Sequence, residues 1–257
     1  PLQYNRYIKM MLTIDPNGFL DIGPITTRYN NEFLDILNVK YLIKCRCKVS
    51  TTDNEYKDTL FKHNWHESQY IGKKWQPVYK GEEVTIYENI KVSPRAFILH
   101  SALFTKSEAE SYSALRKKID LKKIAVIELP SSEKKREIER LLAGSMPGKD
   151  TVEISSYSPQ RIKINAFLAS PGILVLGDTY EKNWKAYVDG SQVDVYPVDY
   201  LLRGIFLEKG NHLVEFIYDP LSFKLGSFIS LVTFVLIMGM VIITAVQNNL
   251  IFPFTPS

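Results

Sequence analysis

One stretch of the sequence combines aromatic rings with a carboxylate and a guanidinium group. Its candidate ligand-binding residues are Asp178, Tyr180, Trp184, Tyr187 and Arg203, with Tyr196 and Tyr200 close by. An aromatic face offers apolar area to a sugar ring, while Asp and Arg side chains can hydrogen-bond its hydroxyl groups. The stretch is therefore a candidate site of saccharide contact, but the favoured interpretation is that its aromatic side chains are core or interface residues, as large aromatics in a β-sandwich usually are.

Catalytic chemistry has little support in the residue patterns. The motifs G-x-S-x-G, G-x-x-x-x-G-K-[ST], H-E-x-x-H and G-x-G-x-x-G do not occur in this sequence, which disfavours the enzyme families that use them. Asp178, Asp189 and Asp194 carry carboxylates, but one sequence does not place any two of them at catalytic separation. Asp189 precedes Gly190 and is interpreted as a turn residue. We predict no catalytic residue in this chain.

A metal site is an alternative for the cysteines and two of the histidines. Cys45 and Cys47 are separated by one residue on a predicted strand, and His63 and His66 follow at a spacing that zinc ligands can use. Zinc knuckles usually present their thiolates on a turn, two to four residues apart, so we predict no metal and no cofactor. The other two histidines, His100 and His212, are interpreted as structural because the sequence offers neither of them a partner.

The elements that must position the aromatic stretch are short strands separated by turns. After Gly148 the segments read TVEISSY, RIKINAFLA, GILVLGDTY, WKAYVDG, SQVDVYPV, RGIFLEKG and NHLVEFIYDP. Such a series predicts an antiparallel β-sandwich. Asp189-Gly190 predicts a hairpin with a type I′ turn, which requires positive φ at both central residues. Lys209-Gly210 predicts a second hairpin.

The preceding residues predict a mixture of helices and strands. Asn30 and NEFLDIL indicate a short helix that leads directly into the strand VKYLIKCRCKV, and QPVYKG with EVTIYEN indicates a hairpin around Gly81. Ser107 and Glu110 form a capping box, and Ser131 and Ser132 open EKKREIERLLAG, a helix that Gly144 can end. Between these two helices, KKIAVIEL reads as a strand.

The end of the chain predicts a membrane span. No Asp, Glu, Lys or Arg occurs from Leu225 to Ser257, although charged residues make up 23% of the sequence. Leu225–Val246 contains no residue more polar than Ser or Thr, and about 20 predominantly apolar residues suffice to cross the hydrocarbon core of a bilayer. The lipid bilayer is therefore a predicted partner of this chain.

The net charge of the sequence indicates which partners are disfavoured, and its first residues indicate whether it belongs to a longer protein. The 32 Lys and Arg residues against 28 Asp and Glu give a net charge of +4, scattered along the chain, so nucleic acid is disfavoured as a partner. The sequence begins at Pro1, without an initiator Met or the regions of a signal peptide. We therefore expect that it is a fragment of a longer protein.

Several motifs resemble, in order, the C-terminal extracytoplasmic domain of the YfhO-type bacterial membrane protein family. These are NVKYLI at Asn38–Ile43, IYEN at Ile86–Asn89, PRAF at Pro94–Phe97, GDTYEKNWKAYVDG at Gly177–Gly190, YLLRG at Tyr200–Gly204 and KGNHLVEFIYDP at Lys209–Pro220. The sequence departs from the family at Lys182-Asn183, where Pro-Gly often precedes the Trp. This departure falls in a loop and leaves the predicted strands intact.

The resemblance implies a multi-pass protein of the cell membrane with a glycosyltransferase-C-like core. Such a protein would transfer sugar from a polyprenyl-phosphate carrier to cell-envelope polymers, which makes lipid-linked sugar or envelope glycan an expected partner. The family's catalytic carboxylate would lie in an early extracytoplasmic loop outside this sequence, so the fragment itself is expected to be non-catalytic. The alternative is a non-catalytic, membrane-anchored carbohydrate-binding or envelope-scaffolding domain.

The expected fold class is α+β, with four successive parts. They are a mixed α/β extracytoplasmic segment over 1–148, a β-sandwich over 149–221, a transmembrane helix over 222–246 and a cytoplasmic tail over 247–257.

Overall fold

The structure is a computed structural model of the chain. It describes Arg6 and residues 19–20, 23–24, 32–45, 73–82, 84–117 and 119–251. Of the four alternative zinc ligands, only Cys45 lies within these ranges, and Cys47, His63 and His66 lie outside them.

Most strands within these ranges coincide with predicted segments. Before residue 148 the strands are Phe19–Leu20 (β1), Gly23–Pro24 (β2), Tyr41–Cys45 (β3), Trp75–Lys80 (β4), Val84–Asn89 (β5), Ala96–Leu99 (β6), Ser101–Thr105 (β7) and Ile124–Glu128 (β8). After it they are Thr151–Tyr157 (β9), Arg161–Leu168 (β10), Gly172–Thr179 (β11), Trp184–Val188 (β12), Ser191–Val193 (β13), Tyr196–Val198 (β14), Leu202–Leu207 (β15) and Gly210–Tyr218 (β16). Strands β1 and β2 were not predicted, and the predicted strand SQVDVYPV is split into β13 and β14, which lie in different sheets.

Two of the helices in the described ranges begin where the capping residues predict, whereas the first follows Glu32, and its predicted cap Asn30 lies outside the described residues. The helices are Phe33–Ile36 (α1), Glu108–Leu115 (α2), Ser132–Leu142 (α3) and Leu221–Ile251 (α4). The Ser107 hydroxyl accepts a hydrogen bond from the backbone N–H of Glu110, and the Ser131 hydroxyl accepts one from that of Lys134, each at 3.3 Å. These side chains satisfy N–H groups that have no partner inside the first turn of a helix.

Five of the strands form an antiparallel sheet, in the order β13-β12-β16-β10-β9. The predicted hairpin joins β12 to β13, and both of its central residues have positive φ, 51° at Asp189 and 86° at Gly190. Strand β10 alternates buried and more exposed residues along its length, as expected for a sheet with one face on a core and one face outward.

A six-stranded sheet lies opposite, in the order β6-β11-β15-β14-β8-β7. Its pairs are antiparallel except for β7 and β8, which are parallel and joined by the crossover helix α2, as parallel neighbours require. This sheet combines strands from both sides of residue 148, where the sequence predicts a domain boundary, and the described residues up to Ile217 form one compact unit.

The two sheets pack face to face and enclose the main core. Its buried apolar residues come from both sheets: Ala96, Ile162, Ile164, Ala166, Leu168, Leu174, Leu176, Ala186, Ile205, Leu207, Val214 and Phe216. The alternate residues of β11, Ile173 and Val175, belong to a second core on the other side of the six-stranded sheet, which includes Ile138 of α3. The α+β fold with antiparallel sheets and a C-terminal apolar helix is confirmed.

One predicted hairpin is wrong. Strands β15 and β16, on either side of Lys209-Gly210, lie in different sheets, so this turn carries the chain from one layer of the sandwich to the other. Gly210 adopts φ of 133°, which L-residues with a side chain rarely reach. The turn residues predict a change of direction correctly but do not determine which strand becomes the neighbour.

A smaller antiparallel sheet has the order β3-β5-β4 and packs with α1. The buried carboxylate of Asp35, on α1, accepts hydrogen bonds from Lys74 Nζ and Asn89 Nδ2, each at 2.8 Å, and from Lys122 Nζ at 3.2 Å. Burial would raise the pKa of Asp35, but the hydrogen bonds from Lys74 and Asn89 outweigh it and lower the pKa below its usual value.

Helix α4 fits the predicted membrane span. Leu221–Gln247 is long and apolar enough to cross a bilayer, and its most apolar 18-residue window has a mean hydropathy of 2.7 and no buried residue. Its large side chains are exposed all round, for example Phe234 and Leu236. A helix that is apolar on every face without protein around it is suited to lipid.

Candidate functional site

Three of the five predicted site residues, Asp178, Trp184 and Arg203, lie together in the described structure, with Asp178 at the centre of the group. Register between β11 and β15 shifts between Leu176 and Thr179, so the intervening Asp178 leaves the regular pairing. Gly177 lies in the same irregularity, and its N–H donates to the carbonyl of Arg95 at 2.7 Å. A Cβ atom at Gly177 would approach that carbonyl oxygen to 3.2 Å, so glycine permits this close contact.

Two arginines form ion pairs with Asp178 from different strands. Arg95 Nη2 lies 2.6 Å from Asp178 Oδ1, and Arg203 Nη2 lies 2.6 Å from Oδ2. The hydroxyl of Tyr157 accepts from Arg95 Nη2 at 2.6 Å and lies 3.2 Å from both carboxylate oxygens, to which it can donate. Because both oxygens are already engaged, this carboxylate is poorly suited to act as a nucleophile or general base.

Arg203 is the buried arm of this Asp178 cluster, at 1% exposure. Its guanidinium carbon lies 3.8 Å from the centre of the Trp184 ring and 5.5 Å from that of Phe216, both in the opposite sheet. Burial lowers the pKa of Arg203 to about 10, against the opposing effect of Asp178, so the group keeps its positive charge at neutral pH. The cluster therefore joins the two sheets through a stacked cation.

Arg95 is the exposed arm, and 44% of its side chain is accessible. It also lies over the ring of Tyr157, at 4.7 Å, and Tyr157 is itself half-exposed. Burial would lower the pKa of Arg95, but Asp178 and Tyr157 raise it above its usual value. Two guanidinium groups share one carboxylate, so the cluster presents excess positive charge beside an accessible phenol.

The two remaining predicted site residues lie elsewhere. Tyr180 donates its backbone N–H to the carbonyl of Leu201, and burial raises the pKa of its phenol, whose charged neighbours are Arg6, Glu128 and Glu181. Tyr187 lies on the opposite face of β12 from Trp184, because successive strand residues alternate and the intervening Ala186 is buried. Neither phenol is part of the Asp178 cluster.

Arg95 and Tyr157 are the members of the cluster that the sequence did not single out as site residues. Arg95 stands 83 residues from Asp178 and Tyr157 stands 21 away, so no spacing rule connects them. In the sequence, the PRAF segment that contains Arg95 is marked only by the family resemblance.

The two histidines interpreted as structural have carboxylate partners that the sequence did not reveal. His100 Nε2 lies 2.8 Å from Asp150 Oδ2 while its Nδ1 lies 2.8 Å from the Pro171 carbonyl. His212 Nδ1 lies 2.8 Å from Asp189 Oδ2. Within the described ranges, no group of three or more His, Cys, Asp or Glu side chains is arranged to hold a metal ion.

Comparisons with known proteins agree with the motifs. Residues 111–230 match the model of a family described as bacterial membrane protein YfhO. The chain is also 28% identical, over 81 residues, to a protein of Bacillus subtilis (strain 168) named "Uncharacterized protein YfhO". The match covers 32% of this chain and 9% of that relative, so the chain spans a small part of the relative's length. No solved structure matches. The resemblance to the YfhO family of bacterial membrane proteins is thus confirmed, over a segment that runs from α2 into the apolar helix α4.

Proposed function

We propose that this chain is the C-terminal extracytoplasmic part of a multi-pass membrane glycosyltransferase. The whole protein would transfer sugar from a polyprenyl-phosphate carrier to cell-envelope polymers, and this part would hold or orient the lipid-linked donor or the acceptor glycan without performing the chemistry. The match of residues 111–230 to a membrane-protein family and the apolar helix α4 support this proposal.

The state of the Asp178 carboxylate is the observation on which the holding role rests. Two arginines and a tyrosine engage its two oxygens, so the cluster lacks a free base, while the accessible guanidinium of Arg95 remains next to the Tyr157 hydroxyl. Guanidinium groups bind phosphate oxygens through paired N–H donors, and a phenol can hydrogen-bond a sugar hydroxyl. A sugar phosphate offers both kinds of group.

A transfer assay with the full-length membrane protein tests this role. Membranes that contain it receive polyprenyl-phosphate sugar, and transfer to envelope polymer is followed for the wild type, Arg95→Ala and Arg140→Ala. Arg140 lies near the end of α3 and is the matched control, since it is another exposed arginine. We expect Arg95→Ala to raise the KM for the donor at least fivefold with kcat changed less than twofold, and Arg140→Ala to change neither.

Two results would contradict the proposal. A fall in kcat at unchanged KM for Arg95→Ala would assign the cluster to the chemical step. Absence of transfer by wild-type membranes with any polyprenyl-phosphate sugar would argue against a transferase.

The second candidate function is a non-catalytic, membrane-anchored carbohydrate-binding or envelope-scaffolding domain. The saturated carboxylate and the stacked Trp184 agree with this function equally well. The number of apolar spans encoded ahead of Pro1 separates the two candidates. About ten spans with an acidic residue in the first extracytoplasmic loop would favour the transferase, and a single anchor would favour the binding domain.

A further inference from the structure

The outer face of the five-stranded sheet carries an open depression of about 390 Å³. It is lined by β9, β10 and β16, with side chains that include Thr151, Glu153, Asn165, Phe167, Asn211 and Leu213. These residues face away from the core, because the alternate residues of β10, such as Ile164 and Leu168, are fully buried between the sheets. Its size is within the range of small-ligand sites.

Strand register arranges this lining as two adjacent rows across the sheet. In one row Phe167 of β10 pairs with Thr151 on one side and Asn211 on the other. In the next row Asn165 pairs with Glu153 and Leu213. The ring of Phe167 and the amide of Asn165 therefore lie two residues apart on β10. Each is directly paired with a polar residue on a neighbouring strand, so their side chains lie close together.

The chemistry of these two rows fits a pyranose. Phe167 is 38% exposed and offers a flat apolar surface at the middle of its row. Amide groups can donate and accept hydrogen bonds at once, which matches vicinal hydroxyls, and the carboxylate of Glu153 and the hydroxyl of Thr151 add further partners. One face of a sugar ring presents C–H groups to an aromatic ring while its edges present hydroxyls.

Charge distinguishes a neutral sugar from an anionic ligand. Among the lining residues no Lys or Arg occurs, and Glu153 would repel a phosphate or an acidic sugar. His212 also lines the depression, but its ring nitrogens are directed to Asp189 Oδ2 and the Glu208 carbonyl. This electrostatic character is the opposite of that of the Asp178 cluster, which carries excess positive charge.

We propose that this outer-face depression binds a neutral saccharide, with the Phe167 ring stacked on the sugar and Asn165 and Asn211 hydrogen-bonded to its hydroxyls. The inference rests on the proposed function in which this part of the protein holds a glycan, and it assigns that glycan a place separate from the Asp178 cluster.

Binding of neutral oligosaccharides to the full chain in lipid nanodiscs tests the assignment. Maltohexaose and chitohexaose serve as probes, inorganic phosphate serves as the anionic comparison, and binding is measured by saturation-transfer NMR and calorimetry. The variants are Phe167→Leu, which keeps apolar volume without a ring, Phe167→Tyr, which restores the ring, and Asn165→Ala. Lys163→Gln is the matched control, since Lys163 lies on the same face of β10 outside the lining.

We expect saturable binding of at least one oligosaccharide and none of phosphate. Phe167→Leu and Asn165→Ala should weaken it at least tenfold, while Phe167→Tyr stays within threefold and Lys163→Gln within twofold of the wild type. Equal binding by Phe167→Leu, or no binding by the wild type, would overturn the assignment. If either occurs while Arg95→Ala still alters donor KM in the transfer assay, the assignment fails and the proposed function stands.

Discussion

Two carboxylates at the six-stranded sheet are shielded from water and are stabilised in opposite ways. Asp178, at the irregular end of β11, pairs with Arg95 and Arg203 and lies within reach of the Tyr157 hydroxyl. Asp199, directly after β14, is completely buried and has no cation beside it among the described residues. Its Oδ1 accepts from the backbone N–H of Val126 at 2.9 Å, and its Oδ2 has no hydrogen-bond partner in the described part of the chain.

Asp199 instead extends the strand pairing with its side chain. Its backbone N–H donates to the Val126 carbonyl at 2.7 Å, so Asp199 satisfies both backbone groups of this β8 residue. The chain leaves the strand here, with φ of 49° at Asp199 and 70° at Tyr200. Aspartate and asparagine reach this left-handed region more readily than most residues, whereas Tyr200 is held there at a conformational cost.

The comparison shows two solutions to the cost of burying a carboxylate. At Asp178 ion pairs and hydrogen bonds compensate the charge, which retains a polar cluster that can face a ligand. At Asp199 burial raises the pKa to about 7, against a smaller opposing effect of the Val126 hydrogen bond, so the carboxyl takes its neutral form below that pH. The first arrangement suits recognition and the second suits a local structural role.

The largest expected effect is the loss of the buried arm of the Asp178 cluster. Arg203→Ala should lower the free energy of unfolding by about 4 kcal/mol, since it leaves Asp178 short of a partner and opens space between Trp184 and Phe216. Urea unfolding of the full chain in detergent, followed by circular dichroism, measures it. Arg203→Met is the comparison and should cost less, because it fills the space. A loss below about 1 kcal/mol for the alanine variant would show that the stacked cation does not hold the sheets together.

Asp199→Asn should instead stabilise the protein, and only as pH rises. The folded-state pKa of about 7 lies above the ordinary value of 3.8, so the stability contributed by protonated Asp199 is full below pH 4 and is lost as pH rises through 7. Asparagine keeps the acceptor for Val126 without a charge. Unfolding at pH 4 and pH 8 should show a gain that grows from near zero to at most about 4 kcal/mol, since one pKa unit corresponds to about 1.4 kcal/mol. A constant gain across this range would contradict a titrating Asp199.

The matched substitution at Asp178 should change the free energy of unfolding in the opposite direction. Asp178→Asn leaves Arg203 buried without its counter-ion and should destabilise at both pH values. Stabilisation by this variant would remove the distinction between the two regions.

Trp184→Leu tests whether the cluster's ring is part of the core or of a binding surface. The substitution removes the ring 3.8 Å from the Arg203 guanidinium and should cost about 2 kcal/mol, since cation–π contact and apolar burial are both lost. If unfolding changes by less than about 1 kcal/mol while oligosaccharide binding disappears, the ring belongs to a sugar site instead.

The sequence determined the local elements well because their causes are local. The Asp189-Gly190 turn requires residues that tolerate positive φ, Ser107 and Ser131 cap the helices that follow them, and α4 has no charged residue after Lys224. The partners of Asp178 depend on which strands become neighbours in the sheets. The packing of the two sheets determines this, and it brings together residues as far apart in sequence as Arg95 and Asp178, which are separated by 83 residues. The same dependence explains the error at Lys209-Gly210, where the chain changes sheets.

Asp199 gave no recognisable signal in the sequence. Neither its burial nor its contact with Val126, 73 residues away, follows from the neighbouring letters. Asp178 was singled out with Trp184 and Arg203 through their proximity to other aromatic residues, and the structure does place these three together. Composition of a short stretch can thus indicate a cluster, while the exposure of each member emerges only from the fold.

The smallest expected effect on stability is that of substituting Arg95, the exposed arm of the Asp178 cluster. It distinguishes a role in ligand binding from a role in stabilising the fold. Arg95→Gln should lower the free energy of unfolding by less than about 1 kcal/mol, because water solvates its guanidinium and Arg203 still pairs with Asp178. Double-mutant cycles in the unfolding assay should give Asp178 a larger coupling energy with Arg203 than with Arg95, and only the Arg95 coupling should weaken appreciably from 0.05 to 0.5 M NaCl. Equal couplings with equal salt dependence would mean that both arginines serve the fold. An Arg95 that contributes little to stability, yet raises donor KM when removed, is the combination expected of a cation retained for a ligand.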